Sequence, residues 1–317
     1  MAGTHHIVLL DNWVSPPNVD FDHRVTQYKS TSPDQLPERI RDATIVVSSY
    51  TQVTRAGIEA TRHLQLVACN STGTNQVDKV ALKERNIPLC HVPAQNTDSV
   101  SEHAFALYFA LRRQIIPMHE LTMADQAWSM GPAFQRFPRA PRTNSEETLV
   151  VIGYGAIGKK IESIGKALQM QVLIAERKGA ESIRDGRMEF HQALTKGTIF
   201  MVVAPLDDES RNMIAASELG IIDDTALIIN VGRGGTVSEH DLANALKGGK
   251  IGGAACDAFS EEPATRVNCP LLDPTIPNLI LSPHVAWYSS RTIKGTIEVQ
   301  KANLEAFVAG KAINVVL

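Results

Sequence analysis

Short apolar blocks alternate with amphipathic stretches along most of the chain. In the first third, Ile7–Leu10, Ile45–Val47, Leu66–Cys69 and Ile87–Cys90 are near-continuous apolar runs, as expected of strands buried on both faces. Helical spacing occupies residues 34–42, 54–62 and 77–85 between them. The alternation resumes at Leu149–Ile152 and continues through Val172–Ala175, Ile199–Val203, Ala226–Ile229, Ile251–Ala255 and Leu279–Leu281. One intervening helix, Asp241–Leu246, is closed by Gly248-Gly249. Ser99 and Glu102 have capping-box spacing, with Val100, Ala104, Leu107 and Leu111 on one stripe behind them, so a helix is expected to begin there. Within it, His103 reads as a satisfied helix histidine in preference to a catalytic one. The final stretch, Arg291–Val308, places Ile293, Ile297, Leu304 and Phe307 in helical register and is long enough to pack back on the first block. Strands and helices alternating in this way predict parallel sheets covered by helices on both faces.

The least regular stretch is 114–147. Met118, Met123, Trp128, Met130, Phe134 and Phe137, with Pro138, Arg139, Pro141 and Arg142, predict a loop anchored by its aromatics. An arm at an active site or a dimer interface is the alternative.

Gly153-Tyr154-Gly155-Ala156-Ile157-Gly158 changes this picture, because it joins a strand to a helix. The first glycine suits a tight turn, the second a close approach of backbone to a pyrophosphate, and the third close helix–strand packing. Phosphates would rest on the helix N-terminus. The next strand ends in Glu176, eighteen residues beyond Gly158, where a dinucleotide fold carries an acid for the adenosine ribose. The fold expected is α/β with two domains. A flavodoxin-like substrate domain is formed by 1–98 and 287–317, and a doubly wound Rossmann dinucleotide-binding domain by 99–286.

A length of 317 residues, with 44% hydrophobic and 21% charged residues, fits two globular domains. Thirty-one basic against 34 acidic residues give a net charge of −3 and no basic field for nucleic acid or a lipid surface, so the expected partner is a small molecule. No apolar run approaches the roughly 20 residues of a membrane helix, and Met1–His6 has no secretory pattern. Cys69, Cys90, Cys256 and Cys269 lack C-x-x-C spacing and read as reduced, buried thiols of a cytoplasmic protein. No metal site is expected, His5-His6 included.

Polar residues follow the ends of the later strands, where ligands of open α/β sheets bind. They are Ala204-Pro205, Asn230-Val231-Gly232-Arg233-Gly234-Gly235, Asp257, Glu262-Pro263 and Ser282-Pro283-His284. A guanidinium such as that of Arg233 matches a carboxylate and can polarise an adjacent carbonyl. An imidazole such as that of His284 titrates near neutral pH, and Glu262 is suited to orient it. Asp257 either accepts from the nicotinamide carboxamide or is a turn aspartate. Ser71-Thr72-Gly73, after an earlier strand, is either a carboxylate-binding loop of backbone amides or a polar turn.

The ordered motifs Gly153-x-Gly155-x-x-Gly158, Asn230–Gly235, Asp257-Ala258-Phe259-x-x-Glu262-Pro263 and Ser282–Trp287 resemble the D-isomer-specific 2-hydroxyacid dehydrogenases, nearest the glycerate dehydrogenase and hydroxypyruvate/glyoxylate reductase branch. The resemblance covers about 40–310. It implies hydride transfer between NAD(P)H and a small 2-oxo acid, giving the D-2-hydroxy acid. It further implies that Arg233 binds substrate, that Glu262 supports the acid/base His284, and that Ser71, Thr72 and Gly73 hold the substrate carboxylate. The cofactor is expected against Thr97, Gly153–Gly158, Glu176, Arg177, Lys178, Ala204, Pro205, Val231, Gly232, Arg233, Asp257, His284 and Ala286. A homodimer is implied as well. Asn144–Thr148 departs from the family in lacking a glycine before the strand. Glu176 favours NAD over NADP by repelling a 2′-phosphate, although Arg177 and Lys178 are suited to pair with one. Rival readings are a formate- or phosphite-type dehydrogenase and a dinucleotide-sensing corepressor.

Overall fold

The computed structural model describes residues 4–129, 131–137 and 139–317, so Met130 and Pro138 of the irregular stretch lie outside the described residues. The chain divides into two compact units, 1–96 with 288–317 and 97–287.

In the first unit, β1 (His5–Leu9), β2 (His23–Gln27), β3 (Ile45–Ser48), β4 (Leu66–Cys69) and β5 (Leu89–Cys90) form a parallel sheet of order β2-β1-β3-β4-β5. This is the flavodoxin-like order. Three short helices connect the strands: α1 (Leu36–Arg39), α2 (Arg55–Ala60) and α3 (Lys79–Glu84). Thr54 and Asp78 start α2 and α3 by accepting backbone N–H groups with their side chains. β2 was not among the expected strands. It sits at the sheet edge as His-Arg-Val-Thr-Gln with a mostly solvent-facing pattern, so no apolar run marks it. β3 and β4 are buried throughout, and their sequences show it.

The second unit opens with α4 (Thr97–Arg112) and α5 (Ile115–Met123). α4 starts at Thr97, two residues before the expected capping residue. Ser99 lies inside the helix and its hydroxyl donates to the Trp287 carbonyl, so it does not close a capping box. There follow β6 (Thr148–Ile152), α6 (Ala156–Ala167), β7 (Gln171–Ala175), α7 (Phe190–Lys196), β8 (Ile199–Val202) and α8 (Ala216–Leu219). β9 (Leu227–Asn230), α9 (Glu239–Lys247), β10 (Gly253–Cys256) and β11 (Leu279–Leu281) complete it. The six strands are parallel in the order β11-β10-β9-β8-β6-β7. Met188 adds a single parallel bridge to Ala175, outside β7. With it counted, the first six positions follow the doubly wound 3-2-1-4-5-6 order, the third strand being reduced to one residue.

α10 (Ser290–Val308) returns the chain to the first unit, where it packs on β4 and buries Leu304. The last residues pair antiparallel with β5, Val315 bridging Cys90.

The irregular stretch does not anchor its aromatics. Trp128 is 72% and Phe134 71% exposed, and α5 buries none of its residues. Among the described residues, no helix is long and apolar enough to cross a membrane, and no group of three or more His, Cys, Asp or Glu could hold a metal ion.

Candidate functional site

β6 delivers the chain into the glycine turn. Gly153 has φ +100°, and a side chain there would meet the backbone of Ala204 at 2.5 Å, so the tight turn and the loop after β8 both require glycine. A Cβ on Gly158 would collide with the Gly153 carbonyl, which fixes how close α6 lies to β6. Gly155 differs: a Cβ there would meet nothing within 4 Å. The protein needs no glycine at that position for itself, whereas a ligand approaching the α6 N-terminus does. The turn therefore fits a dinucleotide pyrophosphate.

A cavity of about 260 Å³ opens beside the turn, lined by Gly153–Gly155, Glu176–Lys178, Ala204-Pro205 and Ser210, among others. Glu176 is in its wall but is 3% exposed. Its Oε1 accepts from the Arg177 backbone N at 2.8 Å and from Arg184 Nη2, and its Oε2 accepts from the backbone N and Nε of Arg184 at 3.2 and 2.7 Å. Arg187 adds a contact at 3.5 Å. The Arg184 guanidinium holds this carboxyl well below the usual carboxylate range.

Further along the same sheet, the loop after β9 is drawn into a fixed shape. Asn230 Nδ2 donates to the Arg233 carbonyl at 3.0 Å and Asn230 Oδ1 accepts from Gly232 N at 3.2 Å. Gly232 and Gly234 face the backbone of Val203 and Phe259 too closely for a side chain. After β10, Asp257 is 2% exposed. Its carboxylate accepts from Ser282 Oγ at 2.6 Å, Val285 N at 3.0 Å and Ala286 N at 2.9 Å. It braces the loop that carries His284, whose own backbone is left-handed at φ +55°. His103 Nε2 lies 2.9 Å from Ser282 Oγ, a partner far away in the sequence that satisfies this helix histidine.

Glu262 and His284 meet directly, with Nδ1 at 2.9 and 2.8 Å from the two carboxylate oxygens. Burial alone would raise the Glu262 carboxyl. The hydrogen bond and charge of His284 outweigh it, helped by the Phe259 amide and the field of Arg233, and hold the group below its ordinary value. With Nδ1 directed to the acid, Nε2 is the ring nitrogen suited to exchange a proton with a ligand. Glu262 thus lies under the influence of both His284 and Arg233 within the second unit.

Ser71, Thr72 and Gly73 lie in the first unit at the carboxyl end of β4. Ser71 Oγ donates to the Gly73 carbonyl at 2.7 Å, Thr72 Oγ1 to the Val92 carbonyl at 2.9 Å, and Gln76 Nε2 to Ser71 Oγ at 3.1 Å. With the hydroxyls of Ser71 and Thr72 donating inward, the loop is ordered by its own side chains. Three features had no sequence signal: the bracing role of Asp257, the Ser282–His103 contact, and the capture of Glu176 by Arg184 and Arg187. Each depends on loops meeting in space.

A doubly wound sheet with a glycine turn shaped for pyrophosphate defines a dinucleotide-binding α/β protein, and the Glu262–His284 pair adds an acid/base group to it. The D-isomer specific 2-hydroxyacid dehydrogenase NAD binding domain matches residues 105–286, and the chain belongs to that family. It is 36% identical to glycerate dehydrogenase of Methylorubrum extorquens over 94% of this chain and 93% of that one. It is 29% identical to hydroxypyruvate reductase of Blautia hydrogenotrophica over 90% and 88%. The fold is shared with D-lactate dehydrogenase from Aquifex aeolicus, complexed with NAD and lactic acid, at TM-score 0.82 and 21% identity over 97% and 96% of the chains.

Proposed function

We propose that this chain reduces small 2-oxo acids of the glyoxylate and hydroxypyruvate type to D-2-hydroxy acids, reversibly, with a nicotinamide dinucleotide as hydride carrier. The observation that carries the reading is the Glu262–His284 pair, on the sheet that also bears the glycine turn. The bound nicotinamide supplies or takes the hydride. His284 holds the proton at Nε2 for the carbonyl oxygen, while Glu262 keeps Nδ1 protonated and stabilises the imidazolium. Arg233 takes the role of carboxylate and carbonyl ligand, supplying orientation and charge stabilisation, and the loop Ser71-Thr72-Gly73 of the first unit is read as a carboxylate ligand. Gly153–Gly158, Ala204 and Pro205 are assigned to the pyrophosphate side of the cofactor. Thr97, Val231, Gly232, Asp257 and Ala286 are assigned to the nicotinamide side. The first unit is read as the substrate domain.

The relatives named glycerate dehydrogenase and hydroxypyruvate reductase support this substrate class. The four cysteines, all buried and unpaired, support a reducing, cytoplasmic setting. The apolar side chains exposed on 115–134 support a homodimer. The test is absorbance of the reduced cofactor with NADH and NADPH against a panel of 2-oxo acids, with formate and phosphite tried in the oxidative direction. Turnover of glyoxylate or hydroxypyruvate is expected. Oxidation of formate or phosphite with no oxo-acid turnover, or no turnover at all, would replace this reading.

A further inference from the structure

The cavity beside the glycine turn is lined by four cations, Arg177, Lys178, Arg184 and Arg187, and by the acids Glu176, Asp207 and Glu209. Counting charges decides little, so the partners of each group matter. An ionised carboxylate has about four lone-pair positions. Glu176 already receives two backbone N–H groups, Nε and Nη2 of Arg184, and a longer contact from Arg187. Ribose hydroxyls would have to displace charged donors from a carboxylate that is 3% exposed. Lys178 is also engaged, 2.9 Å from the buried Glu218 and 3.2 Å from the Met213 carbonyl. Asp207 is tied into its own turn by Ser210.

Of the three guanidinium groups, Arg187 is the one held back, 17% exposed, over the Tyr154 ring at 5.5 Å and 3.5 Å from Glu176, which leaves two. Arg184 is clamped by Glu176 yet 51% exposed, so its position is fixed while part of it faces solvent. Arg177 is exposed at the end of β7, and its charge acts on the nearby Asp207 carboxylate. Planar guanidinium groups beside the ribose end of a dinucleotide site match a phosphate in shape and charge.

Resting on the dinucleotide reading above, we propose that the chain selects the 2′-phosphorylated cofactor, NADP(H), with Arg177 and Arg184 receiving the 2′-phosphate and Glu176 serving as the positioning residue that holds Arg184 in place. The acid that would exclude the phosphate is turned inward and used to aim a cation at it.

Calorimetric titration of the purified chain with NADPH, NADH, 2′-AMP and 5′-AMP tests this without turnover. NADPH is expected to bind about tenfold or more tightly than NADH, and 2′-AMP more tightly than 5′-AMP. Arg177→Ala and Arg184→Ala should each weaken NADPH by about ten- to a hundredfold, as for one charge-assisted contact, and leave NADH within about threefold. Glu176→Gln should narrow the NADPH-to-NADH ratio, whereas a purely structural role would weaken both cofactors equally. NADH binding as tightly as NADPH, or arginine variants that weaken both alike, would overturn the proposal while leaving the dinucleotide reading intact. Binding of neither cofactor would remove both.

Discussion

His284 sits in a left-handed backbone conformation, with Nδ1 against Glu262 and the flanking loop pinned by Asp257. Its side chain is therefore aimed by two separate carboxylates, one on the ring and one on the backbone. Replacing His284 with Ala is expected to lower kcat by about 10²–10⁴, the usual worth of a positioned acid/base group. Steady-state kinetics check this, with circular dichroism to confirm the fold, and an unchanged kcat removes the role. Glu262 also makes a pH statement. Its folded pKa is depressed, so the stability it contributes is present above its ordinary value of 4.5 and is lost as pH falls through the lower folded value. Melting curves taken as pH falls through and below about 4.5 should show a shallower acid loss for Glu262→Gln than for the unsubstituted chain. Parallel curves would mean that the pair contributes nothing to folding. The identities of both residues were readable in the sequence. Their pairing was expected as well, and the fold supplies its geometry by bringing the loop after β10 against the loop after β11, with Nδ1 on both carboxylate oxygens.

At the scale of the element, the three glycines of the β6–α6 turn look alike in sequence but not in space. Gly153 and Gly158 are demanded by neighbouring backbone, while Gly155 faces open space and has an ordinary φ of −90°. Gly155→Ala should therefore fold with equal or slightly greater stability, since loss of glycine at a compatible position typically gains about 0.4–1 kcal/mol. It should also lose dinucleotide affinity by about tenfold or more, because the added methyl occupies the approach to the helix N-terminus. Thermal melts and calorimetry separate the two effects, and unaltered affinity would show that no ligand comes close there. Buried elements such as β3, β4, β8 and β9 were legible because each is buried along its whole length. β2 was not, since an edge strand needs only one apolar face, and here that face is weak. The start of α4 was misplaced for a related reason: Ser99 has the residue type of a cap, yet its hydroxyl is taken by the Trp287 carbonyl from a distant stretch.

For the whole molecule, the stretch 115–134 exposes Ile115, Ile116, Met123, Trp128 and Phe134 within twenty residues. The homodimer proposed above would cover these apolar side chains with a second copy. Trp128→Asp combined with Met123→Asp should shift sedimentation from twice the chain mass to once the chain mass. A native chain that already sediments as a monomer would refute the dimer.

By itself the sequence determined the α/β class, the alternation of strand and helix, the glycine turn and the identity of the Arg233, Glu262 and His284 set. Local periodicity and residue chemistry are written directly into neighbouring positions. Only the tertiary structure decided that Glu176 faces Arg184 instead of the ribose position, that Asp257 braces the histidine loop, and that Trp128 and Phe134 are left out of the chain's own core. Those outcomes depend on which distant side chain reaches a given lone pair or apolar face first, and spacing along the chain does not encode that.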